Sequence, residues 1–281
     1  MSSSDNAARC PSPVVSSADV LLVSISQEEL MNSGHAMPEG KFCPICCLPI
    51  ALPTGQHSVL KPCCTKPVCH GCLMASELAG MGDLCPYCRT PRPDSSAAGL
   101  ALIQKRVDAR DPAAMSLLAD EYQFGTHGLQ KNIPRAIKLW TDAAQLGDLG
   151  AHFNLGYAYY LGGSHSMGTV EQDKAKGILH WQHAAIKGHH ASRFVLGNLE
   201  FDDGNDELAV QHFMISTKMG DEDSLNMIKD MFMEGFTTRS KYAEALKGYQ
   251  RALEETETTQ RAEAKAYYKN GNDHDEDNNG G

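Results

Sequence analysis

Eight cysteines fall between Cys43 and Cys88 in a spacing that suits metal ligation: Cys43-x-x-Cys46, the adjacent Cys63 and Cys64, Cys69-x-x-Cys72 and Cys85-x-x-Cys88. A two-residue spacer lets both thiolates close on one tetrahedral ion at about 2.3 Å. Two closed four-thiolate sites need eight donors, the number this cluster supplies. The competing reading is a disulfide framework, which requires an oxidising compartment and an export signal. The opening residues, MSSSDNAARCPSPVV, have no basic or apolar signal regions, and the apolar run Val20 to Ile25 is too short for a signal or a membrane span. The sequence therefore predicts a reducing compartment, cytoplasmic or nuclear, and two structural zinc ions. Catalytic zinc keeps an open position beside an acid or base, and a full set of thiolates leaves none. Cys10 and Cys47 fall outside the ligand set.

Over residues 43 to 92 the order of these knuckles resembles a RING finger, in which the first and third ligand pairs hold one zinc and the second and fourth the other. The resemblance implies one site of Cys43, Cys46, Cys69 and Cys72, and a second of Cys63, Cys64, Cys85 and Cys88. The usual second pair is Cys-x-His, and here Lys66 stands where that His would fall, so His57 and His70 stay open as substitutes in the second site. In RING fingers that recruit ubiquitin-conjugating enzymes an apolar residue precedes the second ligand, a Pro follows the seventh and an Arg follows the eighth. Ile45, Pro86 and Arg89 hold those places. On that resemblance they form the partner-binding residues, with the planar Arg89 fork able to hold ubiquitin and the conjugating enzyme in a reactive pose. The alternative is that Ile45 and Pro86 pack the metal loops and Arg89 is solvated. The segment after Cys72 lacks the bulky aromatic often found in such docking grooves.

Elements must position these loops, and the rest of the chain supplies them. Its 281 residues allow about two domains, and 25 basic against 35 acidic residues, a net charge of −10, count against a nucleic-acid partner. Nothing indicates a membrane partner. Residues 1–38 read as a disordered tail in which Val20 to Met31 could form a brief helix, and residues 271–281 as an acidic disordered tail. The finger takes residues 39–92, and residues 93–107 form a linker and lead helix; Pro91 and Pro93, on either side of that boundary, block a helix, and Asp94 with Ser95 can cap the next one.

After Cys88 cysteine disappears and an internal repeat begins. First helices carry an apolar residue, an aromatic and a glycine: Leu117, Tyr122, Gly125; Leu155, Tyr160, Gly163; Leu196, Phe201, Gly204; Met227, Phe232, Gly235. Second helices carry a small residue, an aromatic and a small residue: Ala136, Trp140, Ala143; Gly177, Trp181, Ala184; Ala209, Phe213, Ser216; Ala245, Tyr249, Ala252. Small residues let paired helices approach while the aromatic fills the space between layers. Gly147, Gly188 and Gly220 end second helices, and the longest loop, Gly162 to Asp173, is a candidate binding loop.

These units resemble Sel-one-like repeats, relatives of tetratricopeptide repeats found in adaptor proteins, including a partner of a membrane-bound ubiquitin ligase. The resemblance spans four units over residues 108–256, with residues 257–270 as a capping helix over the last. It implies an α-helical repeat solenoid of antiparallel helix pairs that binds a protein or peptide substrate. No nucleophile and base, phosphate loop or paired carboxylates stand out. His152, His180, His183, His189 and His190 read as packed or surface residues rather than a metal site. Together the resemblances imply a RING-type ubiquitin ligase without a covalent catalytic residue, in which the finger recruits a conjugating enzyme and the repeats hold substrate. A non-catalytic interaction scaffold with a structural zinc finger is the alternative.

Overall fold

The computed structural model describes residues 23–38, 41–162 and 170–272. A short helix α1 (Gln27–Asn32), capped by the Ser26 hydroxyl, leads into the finger: α2 (Thr54–His57), a hairpin of β1 (Ser58–Lys61) and β2 (Lys66–Cys69), and α3 (His70–Leu78). The hairpin is antiparallel, with Ser58 opposite Cys69 and Lys61 opposite Lys66. Its core is small: Ile50, Val68 and Leu73 pack among Cys43, Cys69 and Cys72. So little apolar area cannot stabilise a fold of this size unaided, which leaves the cysteine sites to close it.

The helical region starts with α4 (Ser96–Asp108), whose N-terminal amide at Ala98 donates to the Ser95 hydroxyl as the sequence predicts. Four helix pairs follow: α5 (Pro112–Phe124) with α6 (Ile133–Gln145), α7 (Leu149–Leu161) with α8 (Lys174–Ala185), α9 (His190–Asp202) with α10 (Asp206–Lys218), and α11 (Glu222–Met233) with α12 (Arg239–Thr256). Each of Asp111, Asn132, Asp148, Asp173 and Asp221 accepts from a backbone amide in the first turn of its helix. Trp140, Trp181 and Phe213 are buried at equivalent places, flanked by small residues that are also inaccessible. This is the helical repeat solenoid expected from the repeat period.

Two helices keep those aromatics by giving up their own side chains. A Cβ on Gly156 of α7 would lie 2.2 Å from Trp181 Nε1, and one on Gly197 of α9 would lie 2.6 Å from Phe213 Cε1. The helix ahead of each aromatic is notched to receive it, a feature the repeat pattern did not reveal. Gly163, expected to end α7, lies outside the described residues, as does most of the candidate binding loop; α7 instead ends at Gly162.

Two expectations need correction. Residues 23–38 are not a structureless tail: Leu30 of α1 is buried against Trp181, Ala185, Val195 and Leu196. The last helix, α13 (Thr259–Asn272), is present but does not cap the final repeat; it packs along α3 of the finger. Arg261 donates to the carbonyls of Pro49 and Leu48, Tyr268 donates to Glu77, and Gly71 of α3 lies so close to Arg261 that a Cβ there would meet its backbone nitrogen at 3.3 Å. Lys and Arg side chains with apolar stems pack as well as pair, so an outwardly polar helix can bury one face on a small partner. At the other end the Thr65 hydroxyl donates to Asp111, the cap of α5, over 2.6 Å. The finger is thus held against both the start of the solenoid and the helix that follows its end.

Candidate metal centre

The first and last knuckles are built alike. Cys43 N–H donates to the Leu48 carbonyl and Cys47 N–H to the Cys43 carbonyl; in the same register Cys85 N–H donates to Thr90 and Arg89 N–H to Cys85. Short bridges, Phe42 with Pro49 and Leu84 with Pro91, close each loop. In both, the residue after the second cysteine is left-handed, Cys47 at φ 57 and Arg89 at φ 63, which turns the chain so that two sulfurs face one point.

The other ligands come from the hairpin. Cys69 and Cys72 sit at the end of β2 and the first turn of α3. Cys63 and Cys64 occupy the β1 to β2 turn, where the amides of Cys64 and Thr65 both donate to the Lys61 carbonyl and Thr65 is left-handed at φ 52. That sharp reversal is what brings adjacent cysteines to one place.

The result is two interleaved tetrads, Cys43, Cys46, Cys69 and Cys72, and Cys63, Cys64, Cys85 and Cys88, with the sulfurs of each within 4.8 Å of one another. A tetrahedron of sulfurs at about 2.3 Å from a central ion has edges of about 3.8 Å. Cys46 to Cys69 and Cys64 to Cys85 are each 3.9 Å, and Cys63 to Cys88 is 3.3 Å. These spacings fit a four-thiolate metal ion and are far longer than the roughly 2 Å of a disulfide. Neither His57 nor His70 belongs to a tetrad, nor does Cys47. His70 instead meets Tyr268 of α13 with the rings tilted, at 5.2 Å between ring centres.

Electrostatics point the same way. Within the first tetrad, hydrogen bonds from Cys69 and Cys72 hold the Cys43 thiol far below its ordinary range, while the bond with Cys43 drives Cys72 far above it. In the second, burial raises Cys63, and burial with its neighbours pushes Cys64 up to about 12. Four thiolates therefore cannot share either site without a compensating cation, and a divalent ion removes that conflict. Arg261 Nη2 reaches Cys46 Sγ at 3.4 Å, a donor placed to support one ligand sulfur.

The three residues implied as partner-binding are distributed as follows. Ile45 is 41% exposed, Arg89 is exposed with Nη1 against the Met81 sulfur, and Pro86 is half-buried. Pro86 lines a cavity of about 470 Å³ with Val59, Leu60, Leu73 and Tyr268; Ile45 is not part of that lining.

In the solenoid, His152 and His180 Nδ1 atoms are 3.0 Å apart and burial lowers both rings, to about 4 and about 3, so they pack as neutral groups. Among the described residues the groups able to hold a metal are the two cysteine tetrads. Among those residues no helix is long and apolar enough to cross a membrane.

Residues 112–148 and 150–189 match the Sel1 repeat family, and the match spans the first two helix pairs, α5 with α6 and α7 with α8. No curated protein matches the chain. Among solved structures, a Sel1 repeat protein from Oxalobacter formigenes is 19% identical over 66% of this chain and 71% of that one, with a TM-score of 0.48. A protective antigen from uropathogenic Escherichia coli displaying an SLR fold is 19% identical over 70% of this chain and 42% of that one, with a TM-score of 0.43. The third and fourth pairs lie outside the family match and repeat its geometry through Phe213 and Ala245, both inaccessible. The chain thus joins a helical repeat region, part of which matches the Sel1 repeat, to two cysteine tetrads that can bind metal.

Proposed function

We propose that both tetrads hold zinc, that the resulting finger is of RING type, and that the protein acts in ubiquitin transfer: the finger recruits a conjugating enzyme and the repeats hold the substrate. The observation that carries this reading is the interleaved pairing of tetrads, in which knuckles one and three close one site and pairs two and four the other. Four thiolates in tetrahedral array suit zinc, and with all positions filled the ions are structural. Catalysis then lies in orientation: Ile45 and Pro86 contact the conjugating enzyme, and Arg89 steadies the bound ubiquitin. Unpaired thiolates of this density belong to a reducing compartment, so the proposed location is the cytoplasm or nucleus.

A second reading has its own support. The C-terminal helix α13 lies along α3, and Ile45 does not share the cavity that Pro86 lines. Both features suit a finger that serves as a fixed bracket on a non-catalytic scaffold. Discharge of ubiquitin from a panel of charged conjugating enzymes separates the two. The ligase reading expects acceleration by the wild-type chain, loss of enzyme binding in Ile45→Ala, and slowed discharge with binding retained in Arg89→Ala. No acceleration with any enzyme by a zinc-loaded chain leaves the scaffold reading.

A further inference from the structure

Arg193 of α9 is fully buried, and among the described residues it forms no ion pair. Its Nη2 donates to the Ser33 carbonyl at 2.7 Å, its Nη1 lies 3.5 Å from His212 Nδ1, and its Nε has no partner. His212 of α10 is equally buried, and its Nε2 is also without a partner. A buried guanidinium normally faces a carboxylate, because a lone cation out of water is costly and a neutral carbonyl compensates it poorly. Burial accordingly lowers Arg193 to about 10, with no opposing carboxylate, and burial with the Arg193 charge lowers His212 to about 3. Among the described residues the guanidinium is met by a neutral carbonyl and a neutral imidazole.

That carbonyl belongs to residues 23–38, which occupy the face of α8 and α9 as a ligand would. Leu30 enters an apolar pocket of Trp181, Ala185, Val195 and Leu196, and His183 Nε2 is 3.1 Å from the Val23 carbonyl. The backbones interlock through two glycines. A Cβ on Gly34 would lie 2.0 Å from the Ala185 carbonyl, and one on Gly188 would lie 2.2 Å from the Ala36 carbonyl.

We infer that this face is a binding groove for an acidic peptide: residues 23–38 fill it as an internal occupant, the Leu30 pocket takes an apolar anchor, and Arg193 with His212 takes an aspartate or glutamate carboxylate beside the Ser33 carbonyl. The inference rests on the repeats being a protein-binding scaffold and is independent of any ubiquitin transfer by the finger. Arginine is suited to the role because its planar fork donates two hydrogen bonds to one carboxylate, which the single Ser33 carbonyl does not exploit.

The test uses the full chain and the Gly34→Ala variant, in which the added methyl opens the internal occupant. Fluorescein-labelled peptides of residues 23–38, carrying Ser33→Asp or the isosteric Ser33→Asn, are titrated and followed by anisotropy. The Gly34→Ala chain should bind the Ser33→Asp peptide at least about tenfold more tightly than the Ser33→Asn peptide, a typical value for a charge-assisted contact. The wild-type chain should bind both at least about tenfold more weakly, since its own segment competes. Adding Arg193→Gln should erase the preference for aspartate; should that chain fail to fold, the two peptides compared on one folded protein still decide. Equal affinity for the two peptides, or wild-type binding as tight as that of Gly34→Ala, overturns the inference. Ubiquitin discharge is measured separately, so failure here and failure of the ligase reading are distinct results.

Discussion

Replacing Gly156 with Ala sets two physical effects against each other with opposite sign. Gly156 lies within α7, where alanine is favoured over glycine by about 1 kcal/mol, so helix propensity alone predicts a more stable protein. Packing predicts the reverse. The new methyl would meet Trp181 at 2.2 Å from Nε1, 2.4 Å from Cδ1 and 2.6 Å from Cε2. The indole cannot retreat, being 1% exposed, bonded through Nε1 to the Phe153 carbonyl at 3.1 Å and edged by Tyr157 at 5.1 Å. Overpacking of this kind costs about 1–3 kcal/mol, and here it acts on the core of a repeat. The net expectation, about 1–3 kcal/mol less about 1, is a loss of up to about 2 kcal/mol in urea unfolding followed by circular dichroism. Gly248→Ala in α12 is the control, because there the nearest atom is Cγ of the flexible Lys218 at 2.8 Å, so propensity should prevail and stability hold or rise. In the double variant Gly156→Ala with Trp181→Phe, the smaller ring should recover part of the loss, a coupling that independent sites do not show. A Gly156→Ala protein as stable as wild type, or a double variant with strictly additive losses, refutes the notch.

Trp140→Ala and Trp181→Ala should each cost about 3–5 kcal/mol by denaturation, since both rings are inaccessible. Arg261→Ala should weaken the grip of α13 on the finger, and amide exchange at residues 42–50 should quicken while the α5 to α10 amides keep their protection. Asp120 accepts from Trp140 Nε1 and Asn154 Nδ2, each at 2.9 Å, and burial raises its carboxyl to about 7. Because the folded protein then binds the proton more tightly than the unfolded chain, this group contributes stability below about pH 4 that is lost as pH rises through about 7. Buried His152 and His180, lowered to about 4 and about 3, act oppositely: their share is present above about pH 6.5 and lost on acidification. The Asp120 contribution is therefore read as the difference between wild type and Asp120→Asn, which should narrow as pH rises from 5 to 7.5; a constant difference contradicts it.

The eight-cysteine cluster and the helical period were legible because each is a local signal: spacing places two sulfurs on one ion, and residues three and four apart share a helix face. Trp140 and Trp181 followed from that period. Gly156 and Gly197 did not, since a glycine in a helix reads as weakness until the partner aromatic is in place. Lys66 in the usual histidine position left the second tetrad open between cysteines and histidines, and only the turn at Lys61 to Thr65 shows both sulfurs reaching one point. The places of α1 and α13 depend on surfaces far away in sequence. Leu30 finds a pocket near Trp181, and Arg261 finds carbonyls over two hundred residues earlier at Pro49. Nothing in the sequence pattern singled out Arg193, and its lack of a carboxylate partner among the described residues is a property of the packed structure.

The central claim, two structural metal ions in interleaved cysteine tetrads, is tested most directly by counting the metal in the native chain. Native mass spectrometry should give two zinc ions per folded chain, with one remaining in Cys43→Ser and in Cys88→Ser, and X-ray absorption should show four sulfurs at about 2.3 Å. Removal of both ions by a chelator should unfold residues 41–92, because structural zinc contributes on the order of 10 kcal/mol to folding. A chain that stays folded through its finger with no metal bound, or a first shell containing nitrogen or oxygen, would contradict the account.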